Sequence, residues 1–294
     1  MLGGAKDIRV AHRWRGWFVG CALSLALSMA LALSACQTVQ TTQTGVVGVQ
    51  RPQSMLVSAE QVNQDAQKAY RQVLAEAQKK KALNADAAVL ARVRAIAARL
   101  TPATVAFRSD APGWKWETNV ITAKDVNAWC MPGGKIAVYT GLIERLNVTD
   151  DELAAVMGHE IAHALREHGR ERMSDSLGQS VAATVVGIAL GLGSLGQDLT
   201  SKVLDVTFSL PNSRTHETEA DRIGVELAAR AGFDPRAAVT LWQKMSRVSG
   251  GQPPQFLSTH PSHETRIRDL EHASQQVLPL YEAAKATETA KAKL

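Results

Sequence analysis

His159-Glu160-Ile161-Ala162-His163 places two imidazoles four residues apart, so that on a helix they project from one face and can share a single Zn²⁺. Glu160 then lies beside the ion, positioned to take a proton from a water that the metal activates, the arrangement of metal-assisted peptide-bond hydrolysis. The competing reading is a pair of hydrogen-bonded core histidines beside a surface glutamate, and the local context decides between them. Thr149-Asp150-Asp151-Glu152 is a capping box with acids in the first turn, and Leu153, Val156, Met157, Ile161, Ala164 and Leu165 continue it as an apolar pattern. This predicts a helix from about 150 to about 168 with the histidines on its inner side, where an unbonded imidazole would be costly.

A catalytic zinc needs a third protein ligand and leaves its fourth position to water. The extended form H-E-x-x-H-x-x-G-x-x-H is excluded, because Arg166 and Gly169 stand where it requires glycine and histidine. A second amphipathic helix is predicted from Ser213-Arg214-Thr215-His216-Glu217-Thr218-Glu219-Ala220-Asp221 through Ile223, Leu227 and Ala228, ending at Gly232 as its C′ residue. Glu217 and Asp221 share a face; one can ligate the metal while the other accepts a hydrogen bond from a liganding histidine and fixes its tautomer. Spacing leaves open whether Glu217 or Glu219 faces the ion, and acids in a first helical turn are favoured by the helix dipole in any case.

The elements that must hold these side chains follow from composition and punctuation. Ser58 to Ala82 and Ala85 to Leu100 are rich in helix formers, with Thr101-Pro102 as a stop. Short strand-like runs follow at Thr104 to Arg108, Trp116 to Ile121, Val126 to Cys130 and Lys135 to Tyr139, the last two forming a hairpin across Pro132-Gly133-Gly134. An edge of such a sheet can pair with an extended peptide and hold its scissile bond over the metal. Leu177 to Gln197 carries no charge, but Gly187, Gly191, Gly193 and Gly196 interrupt it. A mobile or buried hairpin helix near the cleft is therefore favoured over a membrane span. Asp234-Pro235 starts a further helix through Leu241, Trp242 and Met245, and Gly250-Gly251 with Pro253-Pro254 marks a loop.

Several landmarks together resemble one family. They are Asn127-Ala128-Trp129 with Pro132-Gly133-Gly134, Gly141-Leu142, H-E-I-A-H, the run from Glu217 to Gly224, Ala231-Gly232-Phe233-Asp234-Pro235 and Ser258-Thr259-His260-Pro261. Over about residues 90 to 275 the chain resembles the HtpX/Oma/prenyl-protease family of gluzincin endopeptidases, metallopeptidase family 48, and within it the periplasmic BepA- and LoiP-like lipoprotein branch. The resemblance implies a mainly helical α+β fold with a small sheet beside the active-site helix, and one Zn²⁺ per chain. It assigns Glu217 as third ligand beside His159 and His163, Asp221 as the carboxylate behind the ligands, and Asn127, Ala128 and Trp129 as the substrate-pairing edge. His260 is then expected either to hydrogen-bond the oxyanion of the tetrahedral intermediate or to swing onto the zinc in a latent state. Arg266 is a further candidate for oxyanion or carboxylate binding. The multiple membrane spans of the HtpX and prenyl-protease branches are missing here.

Arg9, Arg13 and Arg15, the apolar stretch Trp17 to Ala32 and Leu33-Ser34-Ala35-Cys36 resemble a lipoprotein signal, with Cys36 as the lipidated residue and Gln37 directing it to the outer membrane. Residues 1–35 would be signal, 36–57 a lipid-anchored linker, 58–280 the peptidase domain and 281–294 a polar tail. The signal holds Lys6, Arg9, Arg13, Arg15 and Asp7, so its removal lowers the formal charge from +5 to about +2. No basic stripe with interleaved aromatics then points to nucleic acid. Beyond Cys21 and Cys36, only Cys130 remains, as a small core residue. The expected location is the periplasmic face of a bacterial outer membrane, and the expected partners are unfolded or misassembled envelope proteins, cleaved as substrates. The alternatives are a zinc-stabilised chaperone or assembly factor for outer-membrane proteins, and an envelope scaffold that uses the charged helices of residues 58–100 and the tail as partner surfaces.

Overall fold

The computed structural model describes residues 37–189, 199–248, 255–261 and 265–291. The expected signal with Cys36 and the Gly250–Pro254 loop lie outside these residues. In chain order the elements are β1 (Gln37–Val39), β2 (Gln53–Met55), α1 (Ala59–Lys79), α2 (Ala87–Ala103), β3 (Glu117–Ile121), β4 (Ala128–Met131), β5 (Lys135–Tyr139) and α3 (Thr140–Leu146). They continue with α4 (Asp150–Leu165), α5 (His168–Ala189), α6 (Leu199–Phe208), α7 (Arg214–Arg230), α8 (Ala237–Val248), α9 (Gln255–Thr259) and α10 (Arg266–Lys291). The class is α+β and mainly helical, as expected.

The H-E-I-A-H segment sits on α4, the central helix, in which every residue from Glu152 to Leu165 is buried. Its start is a complete capping box: the Glu152 N–H donates to Thr149 Oγ1 at 3.2 Å and the Thr149 N–H to Glu152 Oε2 at 2.9 Å. Ala220, Ile223 and Leu227 of α7 and Leu270 and Val277 of α10 share the same apolar core as Leu153, Met157 and Ile161 of α4. Helices α4 and α7 cross where each carries a glycine. A Cβ built on Gly224 would lie 2.7 Å from His159 N, and one on Gly158 would lie 2.8 Å from Gly224 O. The helix bearing the histidines and the helix bearing the acids therefore touch main chain to main chain.

Beside α4 lies a three-stranded sheet of order β3-β5-β4. Strand β3 is parallel to β5, pairing Val120 with Val138, and β4 is antiparallel to β5, pairing Trp129 with Ala137. The β4–β5 hairpin turns through Gly133 and Gly134, both at φ 79°, a backbone region that glycine enters without steric cost. Strand β4 is thus an edge, and Trp129 packs edge-to-face on Tyr70 of α1 and Phe208 of α6 at 5.9 and 5.7 Å. Cys130 is free and buried.

Three expectations are corrected. The strand expected at Thr104 to Arg108 is a 3-10 turn over Thr104–Ala106, because α2 runs on through Thr101-Pro102 to Ala103. The Thr101 hydroxyl bonds back to Ala97 O, and the N–H groups of Phe107 and Arg108 both return to Thr104 O at 3.0 and 2.9 Å, which takes these two donors from any ladder. The segment 37–57 is no free linker: β1 and β2 pair, Val47, Val49, Met55 and Val57 are buried, and the N–H groups of Val46 and Val47 bond Glu226 Oε2 at 2.8 and 3.1 Å. It forms a strap across the domain, and its Thr- and Gln-rich composition hides the apolar residues that anchor it. The polar tail expected after 280 continues as the last turns of α10 to Lys291, where Glu288 pairs with Arg99 at 2.6 Å. Of the uncharged stretch Leu177 to Gln197, α5 carries residues up to Ala189, and the rest of the expected hairpin lies outside the described residues. Among the described residues no helix is long and apolar enough to cross a membrane.

Candidate metal centre

Four residues apart on α4, His159 and His163 bring their Nε2 atoms to 3.1 Å. From α7, Glu217 places Oε2 3.6 Å from His159 Nε2 and Oε1 3.4 Å from His163 Nε2. Ligands at ~2.0–2.1 Å around a tetrahedral zinc stand roughly 3.3 Å from one another, so these three separations fit one such ion. Glu217 is fully buried, and its Oε1 makes no hydrogen bond, an orphan acceptor that a cation would satisfy. Burial acts to raise the Glu217 pKa, yet the imidazoles and the guanidinium of Arg266 outweigh it and hold the carboxyl below its ordinary range.

Helical rotation separates the two glutamates between which spacing does not choose. Glu219, two residues on, is turned to the other side of α7 and bonds His168, Arg166 and Arg51, whereas Asp221, one turn from Glu217, stays on the metal side. Asp221 Oδ1 lies 3.0 Å from His159 Nδ1. With Nε2 facing His163 and Glu217, a proton on His159 Nδ1 would be donated to that carboxylate, which would fix the tautomer.

Arg266 does not meet an oxyanion. It is fully buried, with Nη1 donating to Glu217 Oε2 at 2.9 Å and Nη2 to Asp221 Oδ1 at 2.7 Å, and its guanidinium lies 3.3 Å over the Trp242 ring. The carboxylates it binds are the protein's own, and it holds the ligand carboxylate and its neighbour in register.

Glu160 is buried next to the imidazoles, and its Oε1 lacks a hydrogen bond. Burial first, and then the negative charge of Glu217, push its pKa well above that of an ordinary glutamate, while a main-chain hydrogen bond from Cys130 on β4 works the other way. Such a carboxylate takes up a proton readily at neutral pH. His260 puts Nε2 3.4 Å from Glu160 Oε1, and His159, His163, Glu217 and His260 together offer four donor atoms within 4.8 Å of one another. Burial keeps His260 neutral. Its Nδ1 lies 3.1 Å from Phe256 O and 3.0 Å from the Thr259 hydroxyl; with the ring proton on Nδ1, donated to the carbonyl, Nε2 would present a lone pair. In that tautomer His260 offers a fourth donor atom to a metal, and in the other its Nε2 proton could serve an oxyanion.

Along β4 the cleft is a cavity of about 60 Å³ lined by Trp129, Cys130, Glu160, His163 and His260 and covered by Val203 and Val206 of α6. That is room for a few waters and not for a peptide strand. The Tyr139 N–H bonds Asn127 O at 3.0 Å, so by alternation residues 127, 129 and 131 face β5. The outward main-chain groups of the edge belong to Ala128 and Cys130, which narrows the expected set Asn127, Ala128 and Trp129. Arg172, hidden in a charged run that reads as surface, also lines this cleft. Burial brings its pKa down to about 10, and it bonds the carbonyls of Leu210 and Val206 at 2.7 and 2.9 Å, tying down the end of α6.

A second buried group, His168, Glu171 and His216, also brings its donor atoms within 4.8 Å. Arg51 already grips Glu171 at 2.6 and 2.9 Å, and its positive charge opposes a cation there. Glu219 in this network is held at a pKa of about 2: burial works upward but is outweighed by its bonds to His168 and Arg51. Glu171 is lowered in the same way by Arg51, His216 and Gln53. A depressed folded-state pKa contributes stability above the ordinary 4.5 that is lost as pH falls from there toward about 2. Urea titrations should therefore show stability dropping across that window, less steeply in Glu219→Gln; an identical slope in the variant would contradict this.

Residues 91–274 match the sequence model of "Peptidase family M48". The chain is similar to "Metalloendopeptidase OMA1, mitochondrial" of Bos taurus, 41% identical over 179 residues, which cover 57% of this chain and 34% of that protein. It is similar to "Metalloprotease LoiP" of Escherichia coli (strain K12), 27% identical over 250 residues, 85% of this chain and 94% of that one. It is also similar to "Beta-barrel assembly-enhancing protease" of the same organism, 33% identical over 175 residues, 55% and 35% of the two chains. The chain spans about a third of the length of the mitochondrial protein and nearly all of LoiP.

Proposed function

This chain belongs to peptidase family M48, and on that premise we propose that it is a zinc-dependent endopeptidase acting on unfolded or misassembled proteins of the cell envelope. The observation that carries this reading is the mutual fit of His159, His163 and Glu217 to one tetrahedral ion, with the orphan carboxylate oxygen of Glu160 beside them. These three residues would hold one zinc per chain. Zinc so bound polarises a carbonyl oxygen and acidifies water.

The chain's own groups supply the rest. Glu160 accepts the proton of the attacking water at Oε1 and returns it to the leaving amine. Asp221 fixes the His159 tautomer, and Arg266 holds Glu217 and Asp221 in register. The outward N–H and C=O groups of Ala128 and the C=O of Cys130 align an extended peptide by main-chain hydrogen bonds once α6 gives way. His260, as fourth donor, keeps the centre latent until it swings aside.

The envelope assignment is supported by the lipoprotein-like start with Cys36 and by the likeness to LoiP and to a protease named for β-barrel assembly. On this reading the chain sits on the periplasmic face of the outer membrane. That second name also supports a zinc-stabilised assembly factor as the alternative. Purified zinc-loaded protein should cleave an unfolded substrate such as reduced casein, stop when a chelator strips the metal and resume when zinc returns. Cleavage that persists in metal-free protein would sink the proposal.

A further inference from the structure

His159 meets a carboxylate directly at Nδ1, through Asp221, and His163 does not. Its Nδ1 lies 2.8 Å from His168 Nδ1, and His168 Nε2 lies 3.0 Å from Glu219 Oε2. We propose that His168 and Glu219 form a carboxylate–imidazole relay that positions the metal ligand His163, and that Arg51, delivered by the N-terminal strap, locks its outer end. The inference rests on the zinc reading above and adds residues to it.

Proton placement follows without choice. His163 turns Nε2 to the ion, so its proton is on Nδ1. His168 must then accept at Nδ1 and carry its own proton on Nε2, which it donates to the Glu219 carboxylate. Imidazole ligands commonly donate their second nitrogen to a carboxylate, and here one more ring spans the gap.

The backbone is arranged for it. Glu167, between α4 and α5, takes φ 52°, a left-handed conformation uncommon outside glycine, and this tight turn brings His168 back against His163. His168 is fully buried and stacked on His216, with ring centroids 4.4 Å apart. The far end is equally fixed. Glu219 receives Arg166 Nε at 3.0 Å and Arg51 Nε at 2.7 Å. The strap also closes the C-terminus of α4, since Gln53 Nε2 donates to Arg166 O at 2.7 Å and Arg166 Nη2 to Arg51 O at 2.8 Å.

The test measures zinc release to a chromogenic chelator from His168→Ala, His168→Gln, Glu219→Ala, Glu219→Gln and Arg51→Ala in the full chain. His168→Ala and Glu219→Ala should release zinc about 10–100-fold faster than wild type. Glu219→Gln should lose less, because its amide oxygen still accepts from His168 Nε2, and so should Arg51→Ala, because Arg166 remains. Members of one relay act in series, so the His168→Ala/Glu219→Ala double variant should release zinc no faster than the faster single variant. The cobalt-substituted forms should show shifted ligand-field bands, a readout that a merely structural role would leave alone. His168→Gln and Glu219→Gln keep side-chain volume and carry the test if an alanine variant does not fold. Release within about twofold of wild type in both His168 variants, or additive effects in the double variant, would overturn the relay. A wild-type protein that binds no zinc would overturn the enzymatic reading and the relay together, which separates the two failures.

Discussion

Glu160→Gln protein is expected to bind zinc as tightly as wild type and to lose cleavage, with kcat lowered about 10²–10⁴-fold, the range of a removed general base. The amide keeps the shape of the side chain and accepts no proton. Its surroundings tolerate the change, because burial already disfavours the charged carboxylate at this position. Steady-state cleavage of an unfolded substrate, measured beside zinc content, checks the result; cleavage at the native rate by zinc-loaded variant would remove Glu160 from the chemistry. In cells the same variant separates the two functional readings. Loss of complementation supports proteolysis, whereas full complementation supports the assembly factor. Comparison of envelope proteins between wild-type and variant strains would then identify those that accumulate.

The second large effect is expected from Glu217→Ala. It removes the ligand carboxylate and also the partner of Arg266 Nη1, leaving a fully buried guanidinium with Asp221 as its remaining carboxylate. Breaking a buried pair from one side costs about 3–5 kcal/mol. The variant should therefore emerge from gel filtration without zinc, and its metal-free form should unfold at lower denaturant than metal-free wild type. Glu219→Ala, by contrast, should still be isolated with zinc. Full zinc occupancy in Glu217→Ala would move the third ligand elsewhere, and unchanged stability of the metal-free variant would argue against the Arg266 pairing.

Much of the centre was legible because helical periodicity is a local rule. The capping box at Thr149, the four-residue spacings His159–His163 and Glu217–Asp221 and the stop at Gly232 need only neighbouring residues, and each stands where the sequence places it. The choice between Glu217 and Glu219 depends on which way α7 is rotated against α4, a property of packing that spacing does not carry. Arg266 looked like a group for substrate because its two partners lie 45 and 49 residues away in the chain. His168, Arg172 and Arg51 were missed for a related reason. They sit in charged, polar stretches that read as solvated surface, and only tertiary contact buries them. The strap of residues 37–57 failed in the same way, since composition suggested a tether and a few valines with Gln53 and Arg51 bind it to the domain.

The contact of Gly158 with Gly224 sets a standard of length for the whole centre. Two helices resting on each other without side chains between them have a spacing fixed by peptide geometry, so repacking of the surrounding core cannot rescale the claw of donor atoms they carry. The walls of the cleft on α1 and α6 belong to different segments and can be recut for new cargo while the gauge stays constant. A single methyl group at the crossing would act as a wedge and misalign donors that are themselves untouched.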